Sequence, residues 1–236
     1  MIIKPSKRTG AQKKFWIILF VFILIAELTG IQLKNGTIQF VCKPLLMATL
    51  IMYFLSQTKI RKINLKKWIL AALFFSWLGD VLLLFQERNS FFFLLGLSAF
   101  LIAHIFYIIF FNSIRLLENI KSNLWFLLII VIYYSVLITI LTPWLGDMKL
   151  PVRIYGIVIS FMFMLAMHML FIKNKTTGRW MVVGALLFVI SDSVLAINKF
   201  YQSFEAAGII IMLTYGLAQL FITEGAIRYI RSINSN

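Results

Sequence analysis

Residues 68–85, WILAALFFSWLGDVLLLF, are apolar from end to end except for Ser76 and one carboxylate, Asp80. The run is close to the ~20 residues a helix needs to cross the hydrocarbon of a bilayer. It is not isolated. The 236-residue chain is 61% hydrophobic and 13% charged, too little polar surface to cover a water-soluble core of that size. Working outward from Trp68–Phe85, further apolar spans lie at about 15–33, 37–55, 91–111, 124–142, 152–172, 180–200 and 205–227. The expected fold is all-α: a polytopic integral membrane bundle of about eight transmembrane helices. With short loops throughout, residues 1–236 read as a single integral membrane domain, preceded by a basic stretch at 1–14.

The net charge of +15 at first suggests nucleic acid, but its placement points to a membrane. Lys4, Lys7, Arg8, Lys13 and Lys14 precede the first span, and Lys59, Arg61, Lys62, Lys66 and Lys67 fill the loop after the second. Arg115, Lys121, Lys173, Lys175, Arg179, Arg228 and Arg231 fall on the same side; Lys34, Arg88, Lys149, Arg153 and Lys199 occupy the other. This asymmetry is the positive-inside pattern and predicts cytoplasmic termini, in a bacterial inner membrane if the compact loops are a guide. No loop has the length or aromatic interleaving of a nucleic-acid face. The first span follows basic residues, yet no small-x-small cleavage site follows it, so a retained anchor is expected. The lone Cys42 excludes an intramolecular disulfide and a cysteine-cluster metal site.

A carboxylate at membrane depth costs several kcal/mol unless it faces the bundle interior or a wet cavity. Three of the eight acidic residues lie well inside spans: Glu27, Asp80 and Asp192. Aligning Trp68 with Trp180 sets Gly79-Asp80 against Ser191-Asp192. A four-plus-four parallel internal repeat and chance similarity of two apolar segments both account for this match. At ~1.5 Å per residue from the outer helix ends, Asp80 lies ~8 Å deep, Glu27 and Lys43 ~9 Å and Asp192 ~12 Å, while His104 and Gln219 lie at ~20 Å with Tyr215 between. These residues are expected to line one pocket opening toward the outer leaflet. Ser76, Gly79, Asp80 and Leu83 share a helix face, as do Gly184, Phe188, Ser191, Asp192 and Leu195. For His104 with Tyr107, and Tyr215 with Gln219, interhelical packing is an equal alternative to a role in a site. Lys43 before Pro44 is read either as a snorkelling lysine at a kink or as an anion contact.

The segments KPLLMATL, SWLGDVLLL, FLLGLSAFLIAHIFY, GALLFVISDSVLA and LTYGLAQLFI, in that order, resemble the YhhN-type lysoplasmalogenase family of eight-helix membrane proteins. The resemblance covers essentially the whole chain, and its most specific parts are the G-D, F-x3-H-x2-Y and S-D elements. It implies hydrolysis of the vinyl ether bond of a lysophospholipid substrate, a lysoplasmalogen, to a fatty aldehyde and a glycerophospho-alcohol, with no cofactor. Such a reaction needs an acid and a base, which paired carboxyl groups supply in glycosidases through a similar cationic intermediate. Under this reading Asp80 and Asp192 do the proton work and His104 relays protons or orients water. Tyr107, Tyr215, Gln219 and Glu27 contact substrate, and Lys43 holds the phosphate. Zinc hydrolysis fits poorly, because His104 and His168 are the only histidines and lie at different depths. Serine catalysis lacks a G-x-S-x-G. The rival from another class is a transporter or proton-coupled carrier of a small amphiphile, but Pro44 alone interrupts a span and has no counterpart in the second half.

Overall fold

A computed structural model of the chain describes residues 7–58 and 64–233; Lys4, Lys59, Arg61 and Lys62 of the basic set lie outside the described residues. Among the described residues eight α-helices follow one another: α1 Lys7–Gln32, α2 Gly36–Gln57, α3 Asn64–Leu83, α4 Phe91–Leu117, α5 Leu124–Leu141, α6 Lys149–Met167, α7 Lys175–Ala196 and α8 Ala207–Ile233. Seven helical segments among the described residues are long and apolar enough to cross a membrane; α3, which carries Lys66, Lys67 and Asp80, is the eighth helix of the bundle. The outer surface is lined with exposed Phe, Ile, Leu and Val, as lipid contact requires. The chain is a multi-pass integral membrane protein.

Helix boundaries depart from the apolar runs in a consistent way. α1 starts at Lys7, α3 at Asn64, and α4 and α8 run on to Leu117 and Ile233. Backbone hydrogen bonds continue past the last apolar residue because a helix in contact with water needs no apolar side chains. Starts are set by side-chain caps: Asn35 Oδ1 accepts from Thr37 and Ile38 N–H, Asn123 from Trp125 and Asn174 from Thr177. α6 tightens into a 3₁₀ turn at His168–Phe171, and α7 widens into a π turn at Ile197–Tyr201.

Sequential helices pack as hairpins, most extensively α3 with α4 and α7 with α8. A Cβ on Gly184 would come within 2.9 Å of the Ala218 carbonyl oxygen and 2.8 Å of Ile222 N, so α7 and α8 touch backbone to backbone. Between hairpins, α4 packs on α6 and α2 on α8, the same relation four helices apart. α5 is peripheral, held by α6 and by the turns at its own end and at the end of α7.

At the end where α1 begins and α8 finishes, α1, α2 and α8 are clasped by Glu224. Its carboxylate accepts from Tyr53 Oη at 2.5 Å and Arg228 Nε at 2.6 Å, and it pairs with Lys13. The cavity described next lies at the opposite end.

Candidate active site

A cavity of about 230 Å³ opens where α1 ends, α2 begins, α3 ends and α8 begins. Glu27, Gln39, Lys43 and Gln86 form its polar side. Phe93, Leu97, Phe100, Leu195 and Met212 supply apolar lining, and Asp80, Asp192, Tyr155 and Tyr215 line it as well. Helical spacing brings the acids here: Asp80 and Asp192 lie on the interior faces of α3 and α7 that also carry Ser76, Leu83, Phe188 and Ser191, all buried.

The two acids have parallel but unequal surroundings. Asp80 is 1% exposed, and its Oδ2 accepts a hydrogen bond from Tyr215 Oη at 2.6 Å. The Asp192 side chain is 13% exposed, and its Oδ2 accepts from Tyr155 Oη and lies 3.3 Å from His104 Nε2. His104 Nε2 is also 3.0 Å from Tyr155 Oη. His104 Nδ1 is buried without a protein hydrogen-bond partner, so a proton on Nε2 leaves the fewest unpaired donors and aims the ring at Tyr155 and Asp192. In each case a residue from the other half of the chain reaches across: α8 addresses the α3 acid, and α4 the α7 acid.

Below the cavity lies a layer that does not line it. Tyr107 Oη donates to Gln219 Oε1 at 2.6 Å, and Gln219 Nε2 donates to Ser76 Oγ at 3.0 Å. Both Tyr107 and Gln219 are fully buried. The Phe188 ring meets His104 at 4.7 Å and Tyr215 at 5.5 Å between centroids, both edge to face, and so holds these two side chains in place. The register that takes Asp80 to Asp192 also takes Gly96 to Gly208 and Tyr107 to Gln219. Equivalent positions of the two halves are thus bonded to each other in the middle of the bundle.

The structure therefore brings Asp80, Asp192, Glu27, Lys43 and Tyr215 to one cavity and seats His104, Tyr107 and Gln219 beneath it. The single pocket expected from depth is divided into a chamber and a hydrogen-bonded floor, because the Phe188 and Phe100 rings fill the space between. Lys43 turns into the cavity rather than along the helix to solvent, and it is the cationic neighbour of both Glu27 and Asp80. Glu27 is 1% exposed, and its Oε2 has no protein partner.

Tyr155, which touches Asp192 and His104, was not foreseen. The available signal was its position, since it stands nearly two turns from the start of α6, in the layer of the acids. His168 is buried at the other end of α6, with Nδ1 donating to the Met164 carbonyl and Nε2 accepting from Asn123 N–H. Among the described residues, no three His, Cys, Asp or Glu side chains converge as metal ligands.

Comparison with known proteins places this geometry. Residues 38–226 match the YhhN family model. The chain is 35% identical over 161 residues to human lysoplasmalogenase TMEM86B, an alignment covering 66% of this chain and 62% of that protein. It is 33% identical over 162 residues to the rat lysoplasmalogenase TMEM86B, covering 68% and 62%. It is also 28% identical over 163 residues to a lysoplasmalogenase of Mycobacterium bovis, covering 68% and 60%. The chain thus spans about three fifths of the length of these relatives. No solved structure matches it.

Proposed function

The chain belongs to the YhhN family, and from that premise we propose that it is a membrane lysoplasmalogenase that hydrolyses the vinyl ether bond by paired-carboxyl acid–base catalysis. The observation that carries this reading is the cavity flanked by Asp80 and Asp192, each hydrogen-bonded by a tyrosine, within an otherwise apolar bundle. The chamber is closed below by the Ser76, Tyr107, Gln219 and Phe188 layer.

Asp80, sealed from solvent with one donor aimed at it, is the acid. Asp192, which receives donors from two sides and remains partly open, is the base. Asp80 gives its proton to the vinyl carbon β to the ether oxygen, leaving an oxocarbenium ion. Water attacks the carbon that bears oxygen while Asp192 takes a water proton, giving the hemiacetal. On collapse Asp192 returns that proton to the departing glyceryl oxygen, and Asp80 accepts the hemiacetal hydroxyl proton, so both carboxyl groups end as they began. His104 and Tyr155 hold Asp192 and share its proton. Tyr215 fixes Asp80, and Lys43 is placed to take the phosphate.

Purified protein given a lysoplasmalogen in D₂O should release aldehyde carrying one solvent deuterium on the carbon next to the carbonyl, seen by mass spectrometry after immediate trapping. Aldehyde without that label would remove the carbon-protonation step. No aldehyde would remove the hydrolase reading.

A further inference from the structure

Asp192 and Tyr155 belong to more than one cavity. Besides the chamber, they border a cleft between α5, α6 and α7 whose other walls are Leu137, Ile138, Leu141, Val152, Ile159 and Ala196. It is narrow, about 30 Å³. Its polar groups are satisfied, since Tyr133 Oη and Ser193 Oγ are 2.7 Å apart and bonded to each other. The chamber side, by contrast, presents Glu27, Gln39, Lys43 and Gln86. The cleft side of the Asp192–Tyr155 pair is thus almost wholly hydrocarbon, while the chamber side mixes these polar groups with its apolar wall.

We propose that the cleft between α5, α6 and α7 is the subsite for the substrate's hydrocarbon chain, entered at Asp192, and that its walls set chain-length preference. This rests on the hydrolase reading above. An amphiphile with its phosphate at Lys43 and its chain in the cleft places the bond joining the two parts beside Asp192 and Tyr155, where the reaction must occur. Its two products then leave by different routes. The glycerophospho-alcohol returns through the polar chamber, and the aldehyde slides along α5. The cleft as it stands has room for about one water-sized group, so a chain enters only as α5, a peripheral helix held mainly by α6, moves outward.

Gly156 forms one wall of the cleft, and a Cβ there would already meet the Tyr134 ring at 3.0 Å. Gly156→Leu fills the cleft without harming helix propensity. It should lower the ratio of kcat/KM for long-chain over short-chain lysoplasmalogens by ~10-fold or more. Ile138→Ala, on a half-buried face of α5, widens the same cleft and should shift the ratio the other way. An equal change for all chain lengths in both variants overturns the proposal. So does a chain-length effect confined to Leu97→Trp, which blocks the neighbouring cleft lined by Phe93, Leu97 and Phe200. A saturated alkyl-ether lysophospholipid with a photoreactive chain end, which cannot be hydrolysed, tests occupancy without catalysis. Crosslinks to Leu137, Ile138 or Leu141 support the subsite even if the protein releases no aldehyde, whereas crosslinks to Phe93 or Leu97 refute it.

Discussion

Removing a single hydroxyl from each of the two tyrosines should give unequal losses. Tyr215→Phe takes from Asp80 the hydrogen bond at 2.6 Å, and Asp80 is 1% exposed, so neither solvent nor a second tyrosine replaces it. Tyr155→Phe takes a donor from Asp192, but His104 Nε2 is already 3.3 Å away, and the Asp192 side chain is 13% exposed. Asp80 becomes charged as it gives up its proton, and a hydrogen bond to a charged group contributes about 1.5–3 kcal/mol. At ~1.4 kcal/mol per tenfold, Tyr215→Phe should lower kcat/KM by ~10- to 100-fold, at the upper end because the partner is left unpaired. Tyr155→Phe should cost less than ~10-fold, because the imidazole closes the gap. Both rings stay in place against Phe188 and His104, so thermal unfolding in detergent should move by only a few degrees. The assay is aldehyde release at several substrate concentrations. Equal losses, or a larger loss for Tyr155→Phe, would refute the division of roles between the two acids.

Replacing either acid by its amide, Asp80→Asn or Asp192→Asn, should reduce turnover by at least the ~10²-fold typical of a lost general acid or base; parent-level aldehyde release from either variant would make that acid structural. Lys43→Ala should raise KM and leave kcat within a few-fold if the lysine binds phosphate in both ground and transition states, and a fall in kcat alone would contradict that role. Glu224→Gln should act on stability instead. Lys13 and Arg228 are 32% and 39% exposed and can turn to water, but buried Tyr53 loses a charged acceptor, so a loss of about 1–3 kcal/mol is expected. Thermal unfolding measures this, and loss of activity per folded molecule would count against a purely architectural Glu224.

The parts of this molecule that were legible in the sequence are those where bilayer and interior make opposite demands. A run such as Trp68–Phe85 has one reading in lipid, and a carboxylate inside it must turn inward, so the helices and the shared cavity of Asp80, Asp192 and Glu27 followed from hydropathy and depth. Helix ends were less legible, since α1 and α8 continue through charged residues that hydropathy assigns to loops. Tyr155 escaped notice because a tyrosine near a helix end reads equally as an interfacial anchor. His104 and Gln219 were read as lining the same pocket as the acids. Only three-dimensional packing shows Phe188 against His104 and Tyr107, and Gln219 bonded to Tyr107 beneath the chamber.

The hydrogen bond from Tyr215 to Asp80 also bears on how the protein is made. It spans 135 residues of chain, so the donor does not exist when α3 enters the membrane. At ~5–20 residues per second of synthesis, the carboxyl waits on the order of ten seconds for its partner. During that interval α3, burdened by Lys66, Lys67 and Asp80, is a poor passenger alone and is best delivered together with α4, whose Phe100 ring and Gly96 backbone already fit against Gly79 and Leu83. A nascent chain interrupted before α8 would keep its earlier helices in the bilayer yet display there an acid without its tyrosine donor.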